Sequence, residues 1–278
     1  QFWEAQVVFP DEFERVCENL EVHTANRHVV WKKSSPVDVH VKAVIAALVD
    51  HAAFLLDWTD SAPQTNEVRR SAALIAGAQV ATRHFDLPIH LSELGASGGL
   101  NLMWDQYALD VDGSRFGPEM PAVLLSPEWT GAPPPKASPD IADRAGVDLN
   151  PLDPTRADHL LRLTAYLWAD QPDRLRMTRA AASVATTSPE QGDAIDWLGR
   201  RLASAPQGRL HLIQHTVAWQ YFPAAVQARG TALIEAAGAQ ATAHRPLAWL
   251  SMETDGDTTG KVGAALTLRL WPGDLTLD

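Results

Sequence analysis

Cysteine is nearly missing from this chain. Cys17 is the only one in 278 residues, which excludes an internal disulfide and any cysteine-rich zinc site. That fits a reducing compartment, and a cytoplasmic location is expected. Basic charge is short as well: 23 Lys and Arg face 34 Asp and Glu, for a net charge of -11. This is the wrong sign for steering toward a phosphate backbone. The basic residues form no dense run, so nucleic acid is not an expected partner. No apolar run approaches the roughly 18 residues that span a bilayer, and no membrane partner is expected. Gln1-Phe2-Trp3-Glu4 has no cationic region leading into an apolar one, so no signal peptide is expected. His23, His28 and His40 lack tight ligand spacing, and no metal is expected.

What is present is a core. Hydrophobic residues make up 46% of the chain, enough for one large domain or a domain with a helical annex. Residues 36 to 58 have a helical period through Val41, Val44, Ile45, Leu48, Ala52 and Leu55. After Pro63, "QTNEVRRSAALIAGAQVATRHF" resumes it, with Thr65 the expected N-cap. Residues 1–86 are therefore read as a helical N-terminal annex. From Leu87 short strand candidates alternate with helices. The strands are expected near residues 88 to 94, 145 to 149, 182 to 187, 209 to 215 and 246 to 253, in one sheet with 89 to 94 central. Helices are expected over "LNLMWDQYAL", "RADHLLRLTAYLW", "DAIDWLGRRLASA" and "AAVQARGTALIEAAG". This order predicts an α/β fold with a doubly wound, mostly parallel sheet over residues 87–278. "ALTLRLW" alternates apolar and polar positions, the pattern of an antiparallel edge strand. The Gly- and Pro-rich residues 105–140 read as an inserted hairpin or lid.

The most specific stretch is "HLSELGASGGLNLMW", residues 90 to 104. In an open parallel sheet, ligands bind beyond the carboxyl end of a strand, where it hands over to a helix. Gly95 can supply a positive φ for the turn, and Gly98 and Gly99 carry no Cβ, so a ligand or a strand can approach. The dinucleotide pattern G-x-G-x-x-G is not met, because Ser97 and Leu100 stand in the second and third glycine places.

An acid, one apolar residue and alternate small residues (Glu93, Gly95, Ser97, Gly99) resemble the first motif of class I S-adenosylmethionine-dependent methyltransferases. That resemblance implies a Rossmann-like fold in which the turn Gly95-Ala96-Ser97 cradles the methionine part and Glu93 helps hold its amino end. It implies ribose contact at Asp148 in "GVDLNP", with Asn150 beside it. It also implies adenine contact at Asp193-Ala194 in "QGDAIDW". Each position has a plain alternative: Asp148 can cap the turn at Asn150-Pro151, and Asp193 can be a helix N-cap. Asp110 and Asp112 compete with Asp148 for the ribose, because Gly95 to Asp148 far exceeds the roughly 20 residues usual for that pair.

Several unusual strings in order, "PQTNEVRRSAAL", "ELGASGGLNLMWDQYAL", "GVDLNPLDP", "ADQPDRL" and "HTVAWQYFP", resemble the bacterial DUF2332 family from about Pro63 to Trp271. That resemblance names relatives and no reaction. Members of the family look longer after Trp271, so a final edge strand is expected to be missing.

A small-molecule substrate is expected between the "QTNEV" helix start, with Gln64, Asn66 and Glu67, and the "HTVAWQY" segment, with Trp219 and Tyr221. His215 or Glu67 is the candidate base. Trp104, Trp129, Trp168 and Trp219 are candidate walls of an aromatic pocket. The reading is a methyltransferase-like protein with S-adenosylmethionine as cofactor. Its alternatives are a non-catalytic ligand- or partner-binding module and a serine hydrolase using Ser97, for which His215 is the tempting partner, although the stretch is read as lacking the G-x-S-x-G spacing of a nucleophile elbow. The sequence sets no oligomeric state.

Overall fold

The computed structural model describes residues 23–25, 28–30, 37–60, 64–168, 170–255 and 263–277, with side chains described from Lys42 onward. Cys17 and the side chains of His23, His28 and His40 lie outside the described residues. In chain order the helices are α1 (Val37–Asp50), α2 (Ala52–Thr59), α3 (Ser71–Phe85), α4 (Ala157–Ala165), α5 (Pro172–Ser183), α6 (Ala194–Ala203) and α7 (Ala224–Ala239). Among the described residues no helix is long and apolar enough to cross a membrane.

The chain divides into two compact units. One takes the chain up to Thr65 together with Ala157–Arg176, and the other takes Asn66–Arg156 and Met177–Asp278. In the first, β1 (His23–Ala25) and β2 (His28–Val30) form an antiparallel pair. The period expected over 36 to 58 becomes two helices, broken at His51, whose φ of -115° and ψ of 23° leave the helical region. The Arg162 guanidinium of α4 lies 4.4 Å from the Trp58 ring, a cation–π contact.

The second unit is a mixed α/β domain around a seven-stranded, mostly parallel sheet. Its strands are β3 (Ile89–Leu94), β7 (Ile141–Asp148), β8 (Glu190–Gln191), β9 (Leu210–Thr216), β10 (Leu247–Thr254), β11 (Ala264–Trp271) and β12 (Leu275–Leu277). The order is β12-β11-β10-β9-β3-β7-β8. From β3 the chain builds outward through β7 and β8. It then returns to the other side of β3 for β9 and β10, so the direction of winding reverses between β3 and β9. Every residue of β3 is buried, as expected for a strand with both faces covered.

Helix α3 covers one face. Gly77 permits this, since a Cβ there would lie 2.5 Å from Leu250 Cδ1. The division falls at Thr65 rather than residue 86 because α3 contributes Leu74, Ile75 and Ala78 to the core. Helices α6 and α7 cover the opposite face, where Trp197, Leu198 and Ile234 pack with Leu94, Val147 and Ile213. Each such side chain contributes about 1.5–3 kcal/mol by leaving water.

Four expectations are corrected. The helix expected over "LNLMWDQYAL" is a 3-10 helix that ends at Gln106, and Tyr107 already begins a strand. Residues 182 to 187 are no strand: α5 continues through its alanines to Ser183, whose hydroxyl donates back to the Ala180 carbonyl at 2.7 Å. The strand at that place is the two-residue β8. β11 is antiparallel to β10 but is not the edge, because β12 pairs outside it through Leu268↔Leu277. Thr65 is not the N-cap either. Glu67 caps the 3-10 turn Val68–Arg70 by accepting from the Arg69 N–H, and α3 follows at Ser71.

The expected insertion is a three-stranded sheet of β4 (Tyr107–Val111), β5 (Ser114–Phe116) and β6 (Val123–Leu125), in the order β5-β4-β6. Asp112 and Gly113 turn the β4–β5 hairpin with φ of 49° and 80°, as a two-residue primed turn requires.

Candidate functional site

The site is built at the carboxyl ends of β3, β7 and β9, next to the reversal in strand order. β3 ends at Leu94, and Gly95 turns the chain with φ of 66°. Ser97 follows at φ 55° and Gly99 at 69°. Two neighbours, β7 and the segment before α3, satisfy the backbone of this turn. Val147 accepts the Ala96 N–H at 3.0 Å, and Asp148 Oδ2 accepts the Ser97 N–H at 2.9 Å. The Asn66 side-chain carbonyl accepts from both Gly98 and Leu100, at 3.1 and 3.0 Å. Acceptors on the N–H groups of Ala96, Ser97, Gly98 and Leu100 hold the turn in shape.

The glycines serve close approach between protein segments. A Cβ on Gly95 would lie 2.6 Å from the Ala218 methyl, and one on Gly99 3.2 Å from Pro189. On β7, a Cβ at Gly146 would sit 2.7 Å from Ala96. A side chain at 95 would therefore strike Ala218.

Glu93 points to the α3 side and is fully buried. Burial pushes its carboxyl up to about 8; a hydrogen bond from Gln214 works against that rise, Asp148 adds to it and Arg70 opposes it. Among the described residues its Oε2 has no hydrogen-bond partner, and neither has the buried Ser97 hydroxyl. Gln214 is itself held, donating to the Asn101 carbonyl at 3.2 Å and accepting from the Trp104 indole N–H at 3.0 Å. Ser71 donates to Asn101 Oδ1 at 2.8 Å. Arg70 donates to the Thr216 carbonyl at the end of β9 at 3.0 Å.

The opposite side of the same strand ends is saturated. His215 Nδ1 lies 2.6 Å from Glu253 Oε1, and Nε2 accepts from the Trp249 indole N–H at 2.9 Å. With Nε2 accepting, the ring proton sits on Nδ1. The His215 ring stacks on Trp219 at 5.0 Å between centroids, and Trp219 also fills the space above Gly230 of α7. Burial pushes Glu253 up. The bonds from His215 and from the Ala218 and Trp219 N–H groups outweigh it and hold the carboxylate below its usual value.

Asp148 stands at the end of β7, and its second oxygen accepts the Asn150 N–H at 2.9 Å. Asp193 follows β8 and caps α6, accepting from Ile195 and Asp196 and pairing with Arg229 at 3.1 Å; Ala194 opens that helix. Asp110 and Asp112 belong instead to the β4–β5 hairpin, where Asp110 accepts the Gly113 N–H. The structure thus brings Asn66, Glu93, Gly95, Ser97 and Asp148 together.

It does not gather the remaining residues. Glu67 pairs with Arg69 at 3.1 Å, Tyr221 is 74% exposed and His215 only 1%. Gln64 is half-buried in the first unit. The three candidate tryptophans of the second unit form no common wall. Trp104 is buried against Gln214, Trp129 donates to the Ala132 carbonyl, Trp219 stacks on His215, and Trp168 belongs to the first unit. Gly95-Ala96-Ser97-Gly98-Gly99 does have the spacing of a nucleophile elbow. Ser97 nevertheless makes no hydrogen bond to His215, whose nitrogens go to Glu253 and Trp249.

Glu253, Gln214 and Arg70 escaped the sequence reading. Each left a signal: an acid ending a strand, a lone amide inside the apolar run "RLHLIQHT", and a cation at a helix start.

No curated protein and no solved structure matches the chain. A family described as "Uncharacterized protein conserved in bacteria (DUF2332)" matches residues 28–277. The match covers the glycine turn, the end of β7 and the exit of β9, and the chain belongs to the DUF2332 family.

Proposed function

We propose that the chain binds S-adenosylmethionine across the carboxyl ends of β3, β7 and β8, in a Rossmann-like, methyltransferase-like domain, and transfers its methyl group to a small molecule. One observation carries this reading. Three adjacent parallel strands each end at an acidic position in the expected order: Glu93 at the end of β3, Asp148 at the end of β7, and Asp193 just after β8. An extended nucleoside lying beyond strand ends at a point of reversed winding meets successive strands in turn. Amino end, ribose and adenine would then face Glu93, Asp148 and Asp193.

The residues fit the group at the amino end. Glu93 Oε2 and Ser97 Oγ are buried without partners, and an ammonium donor would satisfy the carboxylate. With its pKa near 8, Glu93 is mostly protonated at neutral pH, so the arriving cation would displace its proton. When bound, the sulfonium supplies an activated methyl group. The chain's part is to align the acceptor, which provides most of the acceleration. An acceptor that has no proton to lose needs no base, which suits a His215 with both nitrogens engaged.

A second reading is a non-catalytic module that binds a ligand through the same turn. It is favoured by Ala218 lying over Gly95.

The test is a thermal-shift panel with S-adenosylmethionine, S-adenosylhomocysteine, NAD and ATP, followed by calorimetry. A ligand at 100 times its Kd adds about 2.7 kcal/mol. Heats measured in buffers of different ionisation enthalpy should show about one proton released per site. Asp148→Ala should cost about 1.5–3 kcal/mol of affinity. Stabilisation by NAD or ATP alone would overturn the reading.

A further inference from the structure

Several bonds fasten the segment after β9 to the end of β10. Glu253 Oε1 accepts from the N–H groups of Ala218 and Trp219, each at 3.1 Å, and Oε2 from that of Gln220 at 3.2 Å. The same Oε1 meets His215 Nδ1 at 2.6 Å. Val217 N–H donates to the Met252 carbonyl at 2.8 Å, and Gln220 Oε1 accepts the Thr254 N–H at 3.1 Å. Together these bonds keep Val217 at φ 51°, a left-handed conformation that a β-branched residue avoids. Such strain persists where the surroundings over-determine the backbone, and it concentrates at ligand sites.

The next residue shows what this holds in place. Ala218 lies so close over Gly95 that a Cβ there would be 2.6 Å from its methyl. From the other side Arg70 grips the Thr216 carbonyl at 3.0 Å. The glycine turn is fixed in turn by Asn66 and Asp148.

We propose that Glu253 is a positioning residue of the S-adenosylmethionine site: it holds residues 217–220 so that Ala218 sets the clearance over Gly95, and hence which ligands can lie on the turn. This deepens the S-adenosylmethionine reading and rests on it. Residue 218 is then the specificity position, where added bulk closes the turn and a glycine opens it.

The experiment compares amide hydrogen exchange at residues 217–220 and 95–99 in the full chain, Glu253→Gln and Ala218→Gly, together with calorimetric titration of S-adenosylhomocysteine. Glu253→Gln should speed exchange at both segments at least tenfold while β3 and β9 stay protected, and should weaken the ligand at least tenfold. Ala218→Gly should leave 217–220 protected and speed exchange at 95–99 alone. Acceleration confined to 217–220 in Glu253→Gln would overturn the proposal, because the carboxylate would then secure only its own loop. Should Glu253→Gln fail to fold, Ala218→Val decides: it should fold and lose at least tenfold in affinity, and unchanged affinity overturns the proposal. A native chain that binds neither S-adenosylmethionine nor S-adenosylhomocysteine removes the proposed function. The exchange comparison then still shows whether Glu253 fixes the turn.

Discussion

Glu93 and Glu253 are two acids on opposite faces of one sheet, and they show that burial alone does not decide the state of a carboxyl. Glu93 is the more enclosed, with one oxygen lacking a partner, and burial carries its pKa to about 8. Glu253 is also penalised by burial, yet three backbone N–H groups and His215 meet its oxygens, and its pKa falls below the usual value. The difference is the number of donors. A carboxyl given donors is a structural anchor, and one denied them is poised to take a cation.

The largest test of this contrast is the pH dependence of stability. Glu93 keeps its proton in the folded chain well above the pH at which the unfolded chain loses it. Its contribution is therefore fully present below about pH 4.5 and declines until about pH 8, where it levels off. At about 1.36 kcal/mol per pKa unit the loss across that window is on the order of 4–5 kcal/mol. Glu93→Gln should flatten this slope in denaturant titrations at pH 5 and 8.5 and exceed the native chain at the higher pH. A slope that survives the substitution would show that Glu93 is ionised when folded.

Glu253→Ala should have the next largest effect, a loss of about 3 kcal/mol at pH 7, because it leaves three N–H groups and the His215 Nδ1–H without their acceptor. Chemical denaturation measures it, and a loss below about 1 kcal/mol would mean that water replaces the carboxylate. Asp193 gives the smallest effect. It also accepts two N–H groups but is 45% exposed, so Asp193→Ala should cost only about 1 kcal/mol, the usual worth of an N-cap. A thermal melt should place it well behind Glu253→Ala.

The contrast also explains what was legible in the sequence. Strands β3, β9 and β10 could be read because buried parallel strands are short apolar runs between turn residues, and α3, α6 and α7 because their apolar positions recur at helical steps. Only the end of β7 could be read, since Asp143 and Arg144 interrupt its start. β8 could not be read that way, since two residues carry no period and the alanines before them extend α5. Asp148 and Glu93 stood out because acids beside a glycine turn mark strand ends. Glu253 was passed over because its four donors come from a segment more than 30 residues earlier in the chain. A carboxylate reads the same in sequence whether or not donors will reach it. Tyr221 and His215 failed as a pair for a related reason: His215 is buried within β9, and Tyr221 is exposed beyond the left-handed Val217 that turns the chain after that strand.

The pairing of β3 with β9, His90 beside His211, has a consequence for how the chain acquires its shape. β10 and β11 pair with partners close in sequence, whereas β3 must wait until more than half of the remaining chain exists before either hydrogen-bonding edge of β9 can reach it. Such long-range parallel pairing closes a large loop before any contact rewards it, which slows folding. During synthesis the apolar strand "IHLSEL" therefore emerges with an open edge, the form most prone to mispair with another chain. The polar side chains inside it, His90, Ser92 and Glu93, lower its apolar content at the stage when it is most exposed.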